Sequence, residues 1–346
     1  MDPTSTSSGE PTWPALPSSH PLLQLAAKLP ESISEAGWDE VWGVTLEPGT
    51  VSAVPAANEE IAPSAPSTTD RPAPAAPDAP TTIESSAPTE PPTPQPPFHT
   101  LLILQKFLRA NENDVEKAAT QLTSTLKWRK EFGVKKIVEE ERFDERIYGG
   151  LGYVTVIPRQ GGEKEGWKEV VTWNIYGAVQ DKKATFGDLD TFVRWRVALM
   201  ELSLHHLSLQ TATVPIPDYG TGPDPYQMTQ IHDYLNVSFL RMDPSVKAAS
   251  QKTIALFQAH YPELLSRKFF VNVPYIMGWL FTLMKTFMAK ETARKLTMMS
   301  HGEEVAVELG SGVPTAYGGT GAALEEVGES VKLVKTEVKI KSEAGE

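Results

Sequence analysis

A proline-rich tract over residues 49–98 limits how this chain folds more than any other stretch. Thirteen of the chain's 29 prolines lie between Pro55 and Pro97. Proline has no backbone N–H and cannot join a helix interior or a sheet ladder, so the tract is predicted to be extended or disordered. Any hydrophobic core must come from the residues on either side. The run PPTPQPP at Pro91–Pro97 suits a polyproline II ligand for an SH3-type partner, although a plain spacer is the favoured interpretation.

The composition excludes several classes of function. The chain carries 32 Lys and Arg against 44 Asp and Glu, a formal net charge of −12, so a nucleic-acid partner is not expected. Cysteine is absent, which removes disulfides, cysteine-ligated metals and thiol nucleophiles and fits a cytosolic protein. We expect neither a signal peptide nor a membrane-spanning helix, since no apolar run reaches the required ~20 residues.

The region before residue 149 predicts a docked segment and a small helical lobe. Residues 1–19 are rich in Ser, Thr and Pro and are predicted to be disordered. Residues 20–48 carry a short apolar face and two tryptophans, which predicts a segment packed on the folded body. Residues 99–148 form the predicted helical lobe. Its first helix is predicted for the run LLILQKFLRA.

The second helix of this lobe has predicted boundaries. Asn113 and Glu116 have the spacing of an N-cap and a capping box. Gly133 stands where that helix should end, because glycine tolerates the left-handed conformation of a C-terminal cap.

After Gly149 the β-rich runs alternate with helical ones. This alternation predicts an α/β domain over 149–321 with a mainly parallel sheet and helical cover. Asp243 followed by Pro244 predicts the start of one helix. The charged residues 322–346 are predicted to be a flexible tail. The predicted strands are 151–157, 169–175, 227–235, 267–273 and 295–299, and the predicted helices are 187–209, 244–261, 275–289 and 303–309.

The predicted strand with the sequence QMTQIHDYL carries the main functional candidates. Side chains on a strand alternate between its two faces, so His232 and Tyr234 should project from the same side. A phenol and an imidazole side by side can bind a metal, ligate haem iron or hydrogen-bond to each other. Periodicity alone does not choose among these uses.

Several runs resemble the CRAL-TRIO lipid-transfer family. FLRANENDVEKAATQLTSTLKWRKEFGV resembles the helical N-terminal half of that family, and HYPELLSRKFFVNVP and AYGG resemble its lipid-binding half. AGWDEVWG, VVTWNIYG, VRWRVALME, QIHDY and RMD are similar to the fungal Sec-fourteen-homologue-five subfamily. The resemblance covers about 100–319 and the N-terminal segment.

The resemblance implies a bilobal fold in which the sheet floors an apolar cavity. An apolar gate helix, Tyr275–Ala289 here, would close the cavity. A basic group beside it would favour an anionic membrane surface by about 1 kcal/mol per residue. The resemblance also implies peripheral association of a cytoplasmic protein with the endoplasmic reticulum or microsomal membrane. The basic group consists of Lys285, Lys290, Arg294 and Lys295.

The family implies a phosphatidylinositol head-group site. Glu263 matches the acid of the YPE motif, and Thr292 and Lys295 match the threonine and lysine after the gate helix. Lipid-transfer members often carry a basic pair after the FLRA run, where this chain has Asn111 and Glu112. An acid there cannot help to hold a phosphate, which weakens this interpretation.

The subfamily is also associated with haem b, and His232 and Tyr234 carry that implication. Tyrosine is a known axial ligand of haem iron. The resemblance therefore implies a ferric haem b with Tyr234 as the metal ligand and His232 assisting. Arg196 and Lys268 would serve the two propionates, with Arg194 as an alternative.

Each of these residues also has a possible structural role that involves no ligand. Asn111 occupies the position of a further haem contact, where the subfamily has an aromatic or basic residue. Arg196 and Lys268 could equally make salt bridges with Glu201 or Glu263. A His–x–Tyr pair on a strand is ordinarily a cross-strand pair.

Three functions follow from this set of residues. The favoured hypothesis is a non-enzymatic phosphatidylinositol transfer protein that also binds ferric haem, in phosphoinositide homeostasis or in oxidant and haem handling. The first alternative is a lipid-transfer module without haem. The second is a haem enzyme of the catalase or peroxidase type, for which we expect negligible turnover.

Overall fold

The structure, a computed structural model, describes residues 10–49, 95–158, 168–238, 243–274 and 293–335. The helices of its first half are α1 (Pro21–Ala36), α2 (Phe98–Ala110), α3 (Val115–Phe132), α4 (Val134–Glu139) and α5 (Glu145–Tyr148). The later helices are α6 (Lys182–Phe186), α7 (Leu189–Leu207), α8 (Pro244–His260), α9 (Val305–Leu309) and α10 (Leu324–Val327). The strands are β1 (Glu40–Val41), β2 (Val44–Thr45), β3 (Phe143–Asp144), β4 (Gly152–Pro158), β5 (Lys168–Ile175), β6 (Met228–Asp233), β7 (Leu265–Val271), β8 (Leu296–Met298) and β9 (Leu333–Val334).

A five-stranded sheet in the order β4–β5–β6–β7–β8 forms the centre of the fold. β4 pairs antiparallel with β5, and the other neighbours pair in parallel. The prediction of a mainly parallel sheet with helical cover is therefore confirmed. β6 occupies the middle position, so its side chains have a neighbouring strand on each side.

The two faces of the sheet are covered by different parts of the chain. Ile231 and Phe269 pack with Val305 and Tyr317 from the C-terminal segment. Met228, on the opposite face of β6, belongs to the core that the helices share. The alternation read from the sequence of β6 thus corresponds to two separate apolar layers.

The N-terminal segment lies against α2 and α3. Trp42 is 2% exposed and stacks on Phe107 with 5.4 Å between ring centroids. Order also begins before residue 20, which corrects the prediction of disorder over 1–19 for its second half. Trp13 lies 5.3 Å from Phe98, centroid to centroid. An indole of this size finds an apolar partner when one is within reach.

The C-terminal residues also depart from their prediction. The expected flexible tail, 322–346, is ordered as far as residue 335. Leu333 pairs in parallel with Phe143, and Val331 is buried. A few apolar side chains between charged ones are enough to pack this segment on the body.

The helix boundaries lie within a few residues of those predicted from capping residues. Asp114, not Asn113, caps α3, since its carboxylate accepts a hydrogen bond from the Lys117 backbone N–H (3.0 Å). Gly133 ends α3 with φ 72°, and Asp243 and Pro244 begin α8, as predicted. α2 begins at Phe98, inside the bounds assigned to the proline tract.

Some expectations fall on residues that the structure does not describe. They include the gate helix over 275–289, most of the proline tract, and the side chains Lys285, Lys290 and Thr292. Within the described ranges, none of the helices is long and apolar enough to cross a bilayer.

Candidate functional site

His232 and Tyr234 lie together at the carboxyl end of β6. His232 is the register partner of Asn174 on β5 and of Phe270 on β7. β6 ends at Asp233, earlier than predicted, but the backbone N–H of Tyr234 still donates to the Val271 carbonyl (3.0 Å). The two side chains therefore project from the same face, as the alternation predicted.

Two further rings flank this pair. The Tyr176 centroid lies 5.5 Å from that of His232 and 5.4 Å from that of Tyr234. Phe270 lies 5.5 Å from His232 and 6.2 Å from Tyr234 on the β7 side. We call these four residues the ring cluster. It is an aromatic site with an imidazole and two phenols.

Asp233 points to the other face and fixes the end of β6. Its carboxylate accepts hydrogen bonds from the Tyr317 hydroxyl (2.7 Å), the Asn272 side-chain amide (2.7 Å) and the Leu235 backbone N–H (2.8 Å). These bonds hold the strand end that carries Tyr234.

Two cations accompany the ring cluster. Arg196 of α7 is 3% exposed and donates to the side-chain oxygen of Asn174. The Lys268 Nζ of β7 lies 5.5 Å from the Phe270 ring centroid. In the described part of the chain neither has a carboxylate partner. A buried cation without a counter-ion is costly, so an anionic ligand would be favoured here.

The alternative salt bridges with Glu201 and Glu263 are absent for these two cations. Glu201 instead accepts from Arg129 at 2.7 Å. Glu263 lies 3.6 Å from the Lys295 Nζ.

Burial sets the protonation states of the ring cluster. It lowers the pKa of His232 well below its ordinary value, and the charges of Lys268 and Arg196 lower it further. His232 is therefore neutral, and its Nε2 is buried with no hydrogen-bond partner among the described residues. Burial raises the pKa of Tyr234, so its phenol is protonated without a ligand.

Lys268 is affected by the same surroundings. Although it keeps some accessible surface, desolvation and then the neighbouring Arg196 lower its pKa to about 7. An anion bound beside it would restore its charge. The donors available to a ligand are thus Lys268 and Arg196, while His232 offers an unused ring nitrogen.

A second polar cluster surrounds Glu263, just after α8. Its carboxylate lies 3.6 Å from the Lys295 Nζ and 3.8 Å from the Arg109 Nε, and accepts a hydrogen bond from the Gln227 amide (3.2 Å). Glu263 has a φ of 53°, which is strained for a non-glycine residue. We call Glu263, Lys295, Arg109 and Gln227 the Glu263 cluster.

Lys106 supports the backbone of this cluster from α2. Its Nζ donates to the Glu263 carbonyl (3.1 Å) and to the fully buried Asp224 carboxylate (2.7 Å).

Asn111 does not join either cluster. Its side-chain amide donates to the Phe107 carbonyl (2.9 Å) and to the Gln121 side chain (2.7 Å) at the end of α2. Neither partner belongs to the ring cluster, and the haem contact assigned to Asn111 stays a prediction from the sequence. Arg194 is also engaged elsewhere, since it donates to the Glu141 carboxylate at 2.7 Å.

Sequence reasoning missed Arg109, Tyr176 and Phe270. Arg109 stood in the FLRA run. The rings could have been found from strand order, because residues at the carboxyl ends of adjacent parallel strands meet at one edge.

Comparisons with known proteins show which proteins this chain is similar to. The family described as CRAL/TRIO domain matches residues 166–319. The phosphatidylinositol transfer protein SFH5 of Phaeosphaeria nodorum is 48% identical over 93% of this chain and 83% of its own length. The SFH5 protein of Cryptococcus neoformans var. neoformans is 46% identical over 93% of both chains. A solved structure described as "Crystal structure of Sfh5" superposes with a TM-score of 0.65 at 27% identity, covering 92% of each chain.

Proposed function

This chain belongs to the CRAL/TRIO family, and we propose that it carries phosphatidylinositol between membranes and also binds ferric haem b through Tyr234. Its relatives are named phosphatidylinositol transfer proteins. The first activity is that of a carrier and not of an enzyme.

The Glu263 cluster supports the lipid activity. A carboxylate accepts hydrogen bonds from sugar hydroxyls, and Arg and Lys side chains pair with phosphate. Glu263 lies between Arg109 and Lys295 at 3.8 and 3.6 Å, so both kinds of group are available to an inositol phosphate. Thr292 remains a proposed contact from the sequence alone.

One observation carries the haem proposal. Arg196 and Lys268 have no carboxylate partner in the described ranges, and they stand beside a neutral histidine whose Nε2 has no hydrogen-bond partner among the same residues. A planar aromatic ligand with two carboxylates and a metal fits this set of groups. The rings of Tyr176 and Phe270 supply apolar contact.

The chain's own residues have defined roles in this proposal. Tyr234 would hold the metal as its phenolate, with the phenol proton passing to solvent, although burial raises its pKa in the ligand-free protein. Ferric haem, when bound, supplies the positive charge that favours the phenolate. Arg196 and Lys268 would pair with the propionates, and Lys268 would take up a proton from solvent there, because a neighbouring anion raises its pKa. His232 would stay neutral and would assist through a hydrogen bond or by approach to the metal.

The optical spectrum of the purified protein tests this proposal. We expect a Soret band in wild type expressed with ample haem. Tyr234→Phe should hold at least ~10-fold less haem, because mutation of a residue that only supports a metal ligand already costs about 10-fold in affinity, and removal of the ligand itself should cost more. Tyr219→Phe, in an exposed loop (38%), is the matched control. A wild type without haem, or a Tyr234→Phe variant with an unchanged spectrum, would contradict the proposal.

Membrane contact is a further part of the proposal. Arg294 is exposed and adjoins Lys295 of the Glu263 cluster, so basic charge lies near the proposed head-group site. We propose peripheral binding to an anionic endoplasmic reticulum surface. Co-sedimentation should be stronger with vesicles that contain anionic lipid, and equal binding to neutral vesicles would contradict this. The SH3-type partner of the proline tract stays a prediction from sequence.

A further inference from the structure

Tyr176 contacts both members of the His232–Tyr234 pair. It follows β5 in a short 3₁₀ turn, Tyr176–Ala178. Its ring centroid is 5.5 Å from His232 and 5.4 Å from Tyr234, with interplanar angles of 46° and 39°. Each aromatic pair of this kind corresponds to roughly 2- to 12-fold in an equilibrium constant. The interaction energy of these contacts is therefore sufficient to influence the orientation of the His232 and Tyr234 side chains.

Gly177 gives independent support for this placement. A Cβ at Gly177 would lie 1.9 Å from the Leu235 carbonyl oxygen and 2.9 Å from its carbonyl carbon. The turn after β5 and the end of β6 thus touch backbone to backbone. A residue with a side chain at 177 would push the turn away and carry Tyr176 with it.

The backbone of Leu235 is not free to yield instead. Its N–H donates to the Asp233 carboxylate (2.8 Å), which also accepts from Asn272 (2.7 Å) and Tyr317 (2.7 Å). The strand end is anchored from the opposite face of the sheet. The position of Tyr176 relative to Tyr234 is consequently set by Gly177.

We propose that Tyr176 is a positioning residue of the haem site, whose ring orients the side chains of Tyr234 and His232, and that Gly177 permits this contact. The inference rests on the proposed haem function. Phe270 closes the β7 side of the pair at 5.5 and 6.2 Å, so removal of Tyr176 takes away the ring on the β5 side. This positioning role requires the aromatic ring of Tyr176 and not its hydroxyl group.

Four variants test the proposal through ferric haem affinity and the tyrosinate-to-iron charge-transfer band. Tyr176→Ala is expected to bind ferric haem about 10-fold more weakly with a shifted band, since two ring contacts are lost. Gly177→Ala should shift the same band although Tyr176 is intact. Tyr176→Phe should remain within about 2-fold of wild type. Tyr219→Ala, at an exposed tyrosine, should behave as wild type.

Phosphatidylinositol exchange by the same preparations separates positioning from folding. Exchange should be unchanged in all four variants, because the Glu263 cluster does not include Tyr176. Parallel loss of exchange and haem would show a purely structural role and overturn the proposal. A wild-type spectrum and affinity in Tyr176→Ala or Gly177→Ala, or equal loss in Tyr176→Phe and Tyr176→Ala, would also overturn it. A wild type without haem is a different result, which contradicts the proposed function itself.

Discussion

Lys268 and Arg196 are two residues whose desolvated positive charges lower the stability of the ligand-free protein. Burial and Arg196 lower the pKa of Lys268 to about 7, against an ordinary value of 10.5. Below pH 10.5 the unfolded chain binds a proton at this lysine, whereas the folded chain does so only below about pH 7. Residues that violate the usual rules of burial are concentrated at functional sites.

Removal of this lysine should therefore stabilise the ligand-free protein in a pH-dependent way. We expect Lys268→Met to raise the melting temperature by at least about 2 °C at and below pH 7, because 1 kcal/mol shifts it by about 2–4 °C in a domain of this size. The gain should shrink as the pH rises from about 7 towards 10.5, where the unfolded chain also loses its proton. Thermal unfolding of haem-free protein across this range measures it.

Lys136→Met is the control, since Lys136 is exposed on α4. It should leave the melting temperature unchanged at every pH. A Lys268→Met variant that is less stable than wild type at pH 6 would contradict the assignment of Lys268 as an uncompensated cation.

Elements with a local signal were predictable, and those with distant partners were not. β6 was found from its alternation, and α8 from Asp243 and Pro244, because strand periodicity and helix caps are written in adjacent residues. The β9 pairing of Leu333 with Phe143 was missed, since its partner lies far away in the sequence. For the same reason His232 and Tyr234 could be named from the sequence, but their neighbours Tyr176 and Phe270 required the order of the strands.

The docking of the N-terminal segment depends on one buried cation. Arg129 of α3 pairs with Glu40 of β1 (2.9 Å) and with Glu201 of α7 (2.7 Å). The Tyr261 hydroxyl also donates to Glu201 (2.6 Å). Three elements and the end of α8 therefore meet at a guanidinium that is 2% exposed.

Arg129→Leu should lower the free energy of unfolding by about 3–5 kcal/mol, because it leaves buried Glu201 without its counter-ion. Urea denaturation measures the loss, and limited proteolysis should detect release of the N-terminal segment. Lys127→Leu is a matched control on the same helix. Lys127 also pairs with the N-terminal segment, through Glu35 (2.6 Å), but at the surface, so its loss should cost about 1 kcal/mol or less. Equal losses in the two variants would contradict this.

At the scale of the whole molecule, one sheet supports two polar sites of different chemistry. The ring cluster lies at the carboxyl end of β6, whereas the Glu263 cluster lies before β7 and reaches Lys295 just before β8. Gln230 pairs with Lys268 in the register between these ends. The Glu263 cluster borders the beginnings of β6 and β7 without a residue in either strand, and the two sites share no side chain. A substitution in one need not alter the other.

This separation predicts a double dissociation between lipid exchange and haem binding. Glu263→Gln keeps the shape of the side chain but removes the charge between Lys295 and Arg109. We expect it to lower phosphatidylinositol exchange by about 10-fold or more, since hydrogen bonds to charged groups are worth about 1.5–3 kcal/mol. Its haem content should be that of wild type.

Tyr234→Phe should lose haem and keep phosphatidylinositol exchange, because the substitution removes only the hydroxyl that would bind the metal and leaves the Glu263 cluster unchanged. Fluorescent-lipid transfer and the Soret absorbance, measured on the same two variants, give both readings. If either variant loses both activities while its melting temperature is unchanged, the two ligands depend on one shared site and the separation is wrong.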